Sequence, residues 1–182
     1  MEETAYLENA WVELEKGISE HGHPFRFCTL ATLINRNEIK QRTLVLRGIT
    51  EDRTLIFYTD FRSDKVTQVF NNAGGSLLFY HHDKSLQLSL QGKVSIHTKD
   101  ALYKENLERI DKKAASDYNT VLPPGTTLKK PIYIERDSRI NFCILEFRIT
   151  SIDYLQLHKD SDHTRLIFNR TINTWQGDFV VP

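Results

Sequence analysis

Arg42, Ser63 and Lys65 are the residues whose types and spacing point to chemistry. They lie, with Arg62, in one stretch that reads RTLVLRGITEDRTLIFYTDFRSDK over 42–65. The stretch reads as two β-rich runs joined by a turn, then a sharp loop that opens a short helix. The first N–H groups of a helix lack intrahelical partners, and the helix dipole is positive there. Cations and a hydroxyl gathered at such an end make a seat for phosphate. Arginine grips phosphate through a fork of donors, and lysine acts as a point charge. The same residues also fit solvated surface cations, and spacing alone does not separate the two readings.

Other groupings give less. His81 and His82 are adjacent on a strand and face opposite sides. His21 and His23 flank Gly22 near a helix end, and neither pair has further ligands at metal-site spacing. No metal site is expected. His158 and His163 are separated by a charged loop and read as solvated. No GxGxxG follows a strand, and Ser63 has no local histidine and carboxylate for nucleophilic catalysis. No catalytic residue can be named. Glu2-Glu3 and Glu51-Asp52 sit at a terminus and a turn, and Cys28 and Cys143 sit in apolar runs as buried thiols.

These residues need a frame to position them. Leu7, Trp11, Leu14 and Ile18 predict an amphipathic helix over 4–20, ended by Gly22 and Pro24. Strands are expected over 25–34 and 39–49 as a hairpin, over 54–59, 76–82 and 86–97, and over 141–150 and 152–157. Ser63 is the expected N-cap of a helix over 64–70, with Gly74-Gly75 as its stop. In 86–97, Leu86, Leu88 and Leu90 face one way and Gln87, Ser89 and Gln91 the other. Alternation likewise sends Phe57 and Phe79 to one side, and Tyr58 and Tyr80 to the other. Asp100 can cap a helix in which Tyr103, Leu107, Ile110 and Ala114 share a face. The Pro- and Gly-rich run 121–131 is a long loop of the kind that carries function or mobility. Segments 165–170 and 175–181 predict a closing hairpin. The pattern implies an α+β fold around a small barrel, one domain over 1–182.

The 182 residues are 40% hydrophobic and 26% charged, enough for a sizeable core. Twenty-four basic residues balance 24 acidic ones, so no general nucleic-acid or anionic-membrane binder is expected. An anionic ligand must be held by a local cluster. No apolar run approaches the roughly 20 residues that span a bilayer. The acidic start MEETAYLENAW lacks signal-peptide features, so a cytoplasmic location is expected.

RTLVLRGI, FYTDFRSDKV and SLLFYHHDKSLQLSLQGKVSIH resemble the flavin-binding core of the pyridoxamine 5′-phosphate oxidase-like split-barrel proteins. HTRLIFNRTINTWQGDFVVP resembles that family's C-terminal hairpin, and the resemblance covers roughly 24–182. It implies an antiparallel Greek-key split β-barrel with flanking helices, binding flavin mononucleotide (FMN). The implied FMN contacts are Arg42, Thr43, Leu44, Val45, Leu46 and Arg47, largely through backbone. Tyr58, Thr59, Ser63, Lys65, Gln87 and Arg165 complete the set. A homodimer is implied, with flavin sites at the subunit interface. Where the oxidase holds its substrate's phosphate with tyrosine, arginine and serine on a helix, this chain has Glu105, Arg109 and Lys113. Where the oxidase has Arg-Leu-His, this chain has Ser161, Asp162 and His163, and Leu155 replaces an aromatic residue. Only Arg109 and His163 are kept as substrate residues, and Asp162 would repel an anion. The resemblance therefore points to the uncharacterised branch rather than the true oxidase. It implies an FMN-dependent oxidoreductase acting on an unknown small molecule. The alternatives are a genuine pyridoxamine or pyridoxine 5′-phosphate oxidase, or a non-catalytic protein binding flavin, haem or deazaflavin.

Overall fold

The computed structural model describes residues 2–110, 115–128, 134–172 and 174–182. Its helices are α1 (Glu2–Ser19), α2 (Asp64–Asn71) and α3 (Ala101–Arg109). The first strands are β1 (Phe27–Asn35), β2 (Glu38–Ile49), β3 (Leu55–Asp60) and β4 (Gly74–His81). They are followed by β5 (Leu86–His97), β6 (Phe142–Gln156), β7 (Thr164–Arg170) and β8 (Trp175–Phe179). Together these make an antiparallel α+β fold. Ala114, Lys113 and the loop end at Pro131 lie outside the described residues. Among the described residues no helix is long and apolar enough to cross a membrane.

The eight strands form one sheet in the order β3-β2-β1-β4-β5-β6-β7-β8, and β3 pairs again with β6. That second pairing closes β1 to β6 into a ring, with β7 and β8 extending it beyond β6. Alternation decides what the ring encloses. Leu86, Leu88 and Leu90 are fully buried, while Gln91 on the other face is exposed. Phe57 and Phe79 also point inward, and Tyr80 points out. Ala10, Trp11 and Leu14 of α1 pack into the same core. On the opposite side Leu102, Tyr103 and Leu107 of α3 pack against Ile56, Phe142 and Ile144. Asp100 caps α3 as expected, its side chain accepting the Tyr103 N–H at 3.0 Å.

Three local expectations change. β1 starts at Phe27, because Pro24–Arg26 forms a 3₁₀ turn with proline in its opening position. Gly74 and Gly75 open β4 instead of stopping α2. Asn72 ends α2, and its side chain takes the Gly74 N–H at 2.9 Å. The run 141–157 holds one long strand, since the register slips between Gln91 and Gly92 and β6 continues past the bulge. Gly92 permits that bulge: a Cβ there would press on the Arg148 carbonyl oxygen and come within 2.5 Å of Phe147 Cε1.

Gly92→Ala is therefore expected to destabilise the fold by about 1–3 kcal/mol through overpacking. Urea unfolding monitored by circular dichroism checks this. An unchanged midpoint would mean that β6 yields at the bulge.

Candidate functional site

β2, β3 and the start of α2 enclose a cavity of about 500 Å³. Arg42, Thr43, Leu44, Val45 and Arg47 line it from β2, and Tyr58 and Thr59 from β3. Ser63 and Lys65 line it from the α2 corner. Three residues of the expected contact set stand elsewhere. Leu46 turns into the barrel core opposite Phe57, as strand alternation requires. Gln87 and Arg165 lie on other strands and do not line this cavity.

The corner is built by Asp60. Its carboxylate accepts the Arg62 N–H at 2.8 Å, and its carbonyl accepts the Ser63 N–H at 3.1 Å. Ser63 sits in the N-cap position, but its hydroxyl turns back to the Asp60 carbonyl at 2.7 Å and does not cap α2. The expected side-chain cap is thus absent, because the turn takes the hydroxyl first. The opening N–H groups of α2 are left for another acceptor. Arg62 also departs from expectation. It pairs with Asp60 at 2.7 Å and with the carbonyls of Thr120 and Val121, and it does not line the cavity.

Lys65 and Arg42 hold the positive charge. Lys65 Nζ donates to Thr59 Oγ1 at 2.9 Å and Ser63 Oγ at 3.2 Å. Burial, then the Arg42 charge, pulls the Lys65 ammonium below its ordinary pKa. Burial likewise lowers Arg42. Arg42 donates to Thr32 Oγ1 and to Gln68 Oε1, both at 2.6 Å, tying β2 to β1 and α2. At the cavity rim Lys40 pairs with Asp64 at 2.7 Å, and both are exposed. Two cations therefore share a half-buried corner where burial disfavours both and Arg42 further disfavours Lys65. A phosphate dianion offsets both penalties, so these residues fit the phosphate end of FMN.

A second cavity of about 660 Å³ adjoins the first through Arg47 and Tyr58. The Arg47 guanidinium lies 5.5 Å from the Tyr58 ring centre. Tyr58 donates its hydroxyl to Asn106 Oδ1 at 2.8 Å, and burial raises its pKa. Arg109 lines this second cavity, but Glu105 holds it at 2.7 Å. His163 lines neither cavity; its Nδ1 accepts the His158 N–H at 3.2 Å in the β6–β7 connection. Gln87 faces Leu155, and Leu155 faces Arg165, in a row across β5, β6 and β7. Asp153 holds Arg165 through two bonds of 3.0 and 2.8 Å.

Sequence reasoning missed two features. Asp117, Tyr118, Pro124 and Gly125 also wall the first cavity, and the only signal was the Pro- and Gly-rich loop. The second is a buried trio, Glu13, His23 and His81, drawn from three separate elements. Glu13 Oε2 lies 3.3 Å from His23 Nε2 and 4.0 Å from His81 Nε2. Lys84 Nζ grips both Glu13 oxygens at 2.7 and 2.6 Å. The Nδ1 atoms of His23 and His81 accept the N–H groups of Phe25 and Lys84 at 3.2 and 3.4 Å. The ring protons then sit on Nε2 and face Glu13. A metal on Nε2 would force a proton onto Nδ1 against those amides, and it would meet an ammonium already in place. The donor set suits a buried carboxylate anchor.

Residues 8–98, half of the chain, match the family model described as pyridoxamine 5′-phosphate oxidase, FMN-binding domain. A pyridoxine/pyridoxamine 5′-phosphate oxidase of Psychrobacter cryohalolentis is 29% identical over 89 residues, which are 49% of this chain and 40% of that protein. The chain thus matches well under half the length of that curated relative. Among solved structures, a pyridoxamine 5′-phosphate oxidase-related, FMN binding protein from Nostoc punctiforme superposes with a TM-score of 0.76. Identity there is 22%, with 96% of each chain covered. PhzG from Burkholderia lata, solved with tetrahydrophenazine-1-carboxylic acid, gives 0.74 at 18% identity, covering 99% of this chain and 93% of that one. Both share the fold.

The buried trio generates a pH prediction. Burial, then the Lys84 ammonium, pushes His81 below its ordinary 6.5. Below pH 6.5 the unfolded chain takes up a proton that folded His81 resists, so stability falls as pH drops through that value. Urea midpoints at pH 7.5 and 5.5 should differ in that sense, and His81→Asn should shrink the difference. An equal difference in the variant places the effect elsewhere.

Proposed function

The chain belongs to the pyridoxamine 5′-phosphate oxidase FMN-binding domain family, outside the oxidase itself, and on that premise we propose that it is an FMN-dependent oxidoreductase. The observation that carries this reading is the pair of half-buried cations, Arg42 and Lys65, facing one cavity beside the open end of α2. In this reading Lys65 and the first turn of α2 hold the phosphate, and Ser63, whose hydroxyl donates to the Asp60 carbonyl, positions the Lys65 ammonium by accepting from it. Arg42 adds its charge while holding β1, β2 and α2 together. The backbone of β2 from Arg42 to Arg47 and the side chains of Tyr58 and Thr59 line the remainder. FMN, when bound, supplies the redox chemistry, so the protein needs no nucleophile or triad of its own. The work of this chain is to bind, orient and shield.

We read the closed ring with its β7–β8 extension as a Greek-key split barrel, the whole chain forming one domain. The functional unit in this reading is a homodimer. Gln87 and Arg165 stand outside the cavity that holds the other proposed contacts, which fits their reaching a flavin bound to a second copy. The face they share carries exposed Leu78 and Tyr80, and Phe27 on β1 is also exposed. Those apolar groups would be covered by pairing. Glu105 pairs with exposed Arg109, so a substrate phosphate in the adjoining cavity would meet a carboxylate beside the arginine. The substrate is then a small molecule other than the vitamin phosphate. Buried, unpaired Cys28 and Cys143 suit the reducing cytosol.

Titration with FMN should quench flavin fluorescence and give a yellow complex. Lys65→Ala should raise Kd by roughly 10- to 100-fold, the loss of a hydrogen bond to a charged group. Arg42→Ala should also weaken binding. It should further lower unfolding stability by about 1–3 kcal/mol, since it strips partners from buried Thr32 and Gln68. Unchanged FMN affinity in folded Lys65→Ala would place the phosphate elsewhere.

A further inference from the structure

We propose that Arg62 latches the segment 115–126 across the mouth of the cavity and so sets how fast a bound mononucleotide escapes. The ligand's identity rests on the FMN reading above; the latch rests on geometry alone. Arg62 joins two parts of the chain that are 58 residues apart. One edge of its guanidinium forks the Asp60 carboxylate, with Nε at 3.1 Å and Nη2 at 2.7 Å. The other reaches forward, Nη1 donating to the Val121 carbonyl at 3.0 Å and Nη2 to the Thr120 carbonyl at 2.8 Å. Asp60 is almost wholly buried, so the forked end is fixed and the forward end inherits its position.

What Arg62 holds is the midpoint of a wall. Before it, Asp117 and Tyr118 line the cavity; after it, Pro124 and Gly125 do. Gly125 comes close to the rim, where a Cβ would stand 4.0 Å from Asp64 Oδ2. The base of the segment is tied separately, with the Tyr118 carbonyl accepting the Asn141 N–H at 2.7 Å. On its far side the segment is tied to 135–137, where the Val121 N–H donates to the Glu135 carbonyl at 2.8 Å and Thr120 bridges Arg136, so what Arg62 adds is the tie to the α2 corner. Only a planar guanidinium can satisfy a carboxylate on one side and two carbonyls on the other. Lysine keeps the charge for Asp60 and loses the fork. It therefore separates the latch from the buried ion pair, whose loss in Arg62→Ala would also disturb folding.

Two measurements on Arg62→Lys test the latch. The first is amide hydrogen exchange in flavin-free protein. Peptides within 115–126 should exchange faster than in wild type, while those of β5 stay unchanged. The second is release of FMN, followed by fluorescence recovery after rapid dilution. Release should accelerate by about tenfold, the loss of one charge-assisted hydrogen bond. Association should change by less than about threefold, a split that general destabilisation does not produce. The latch is overturned if exchange in 115–126 is unaltered, or if a loosened segment releases FMN at the wild-type rate. Should wild type bind no FMN, the cofactor reading fails, and the exchange comparison still decides whether Arg62 holds the wall.

Discussion

Two like charges confined to one half-buried corner are the constraint on which the site depends. Arg42 and Lys65 are each disfavoured by burial, and Arg42 further disfavours Lys65. Neutral hydroxyls, the Gln68 side-chain carbonyl and the Leu30 backbone carbonyl solvate them, while the neighbouring carboxylates are engaged elsewhere, Asp64 by Lys40 at the rim and Asp60 by Arg62. Such an arrangement costs stability in the absence of an anion and becomes favourable with one. The helix end beside it adds donors of the same sense. The unliganded fold thereby holds two cations beside one cavity.

The closed ring of strands brings that corner together. Arg42 is on β2, while Lys65 follows β3, so their approach depends on β2–β3 pairing with register kept. Pairing of β3 with β6 closes the ring and sets Asn141 beside the same corner, its carbonyl accepting the Phe61 N–H and its N–H donating to the Tyr118 carbonyl, both at 2.7 Å. Asp60, the last residue of β3, turns the chain and anchors Arg62 in the same step. A single buried carboxylate thus shapes the α2 corner and ties Arg62 to it.

Much of this was legible in the sequence because alternation is a local signal. β5 reads correctly from Leu86 to His97, and the side taken by Phe57 and Phe79 follows from the same rule. The cavity's β2, β3 and α2 residues were legible through their motif. What failed depended on contacts between distant segments. Arg62 looks like another cation of the cluster until Thr120 and Val121 are seen to accept from it. The Gly74-Gly75 pair reads as a stop until the Asn72 side chain is seen to end the helix first. Gln87 and Arg165 carry a family signature, yet nothing local shows that they do not line the cavity that Lys65 lines. Glu13 was the least visible, since one acidic residue in an apolar stripe gives no hint of His23, His81 and Lys84.

The Glu13 group and the Arg42–Lys65 corner pose the same burial problem and resolve it differently. Glu13 is fully enclosed, yet its charge is answered within the chain by Lys84, Lys16 and the Nε2 side of two imidazoles. Burial alone would raise its pKa; the bonds from Lys84 and Lys16 outweigh burial and leave it lowered. The carboxylate is answered as it stands, although buried His23 Nε2 keeps no hydrogen-bond partner, and the group fixes α1 and the β4–β5 turn to one another. At the other corner the charges are oriented but not neutralised, and a cavity lies in front of them. Completeness separates the structural cluster from the functional one. A buried charge with its counter-charge in the same chain holds a fold together, whereas paired charges of one sign facing open volume await a ligand of the other.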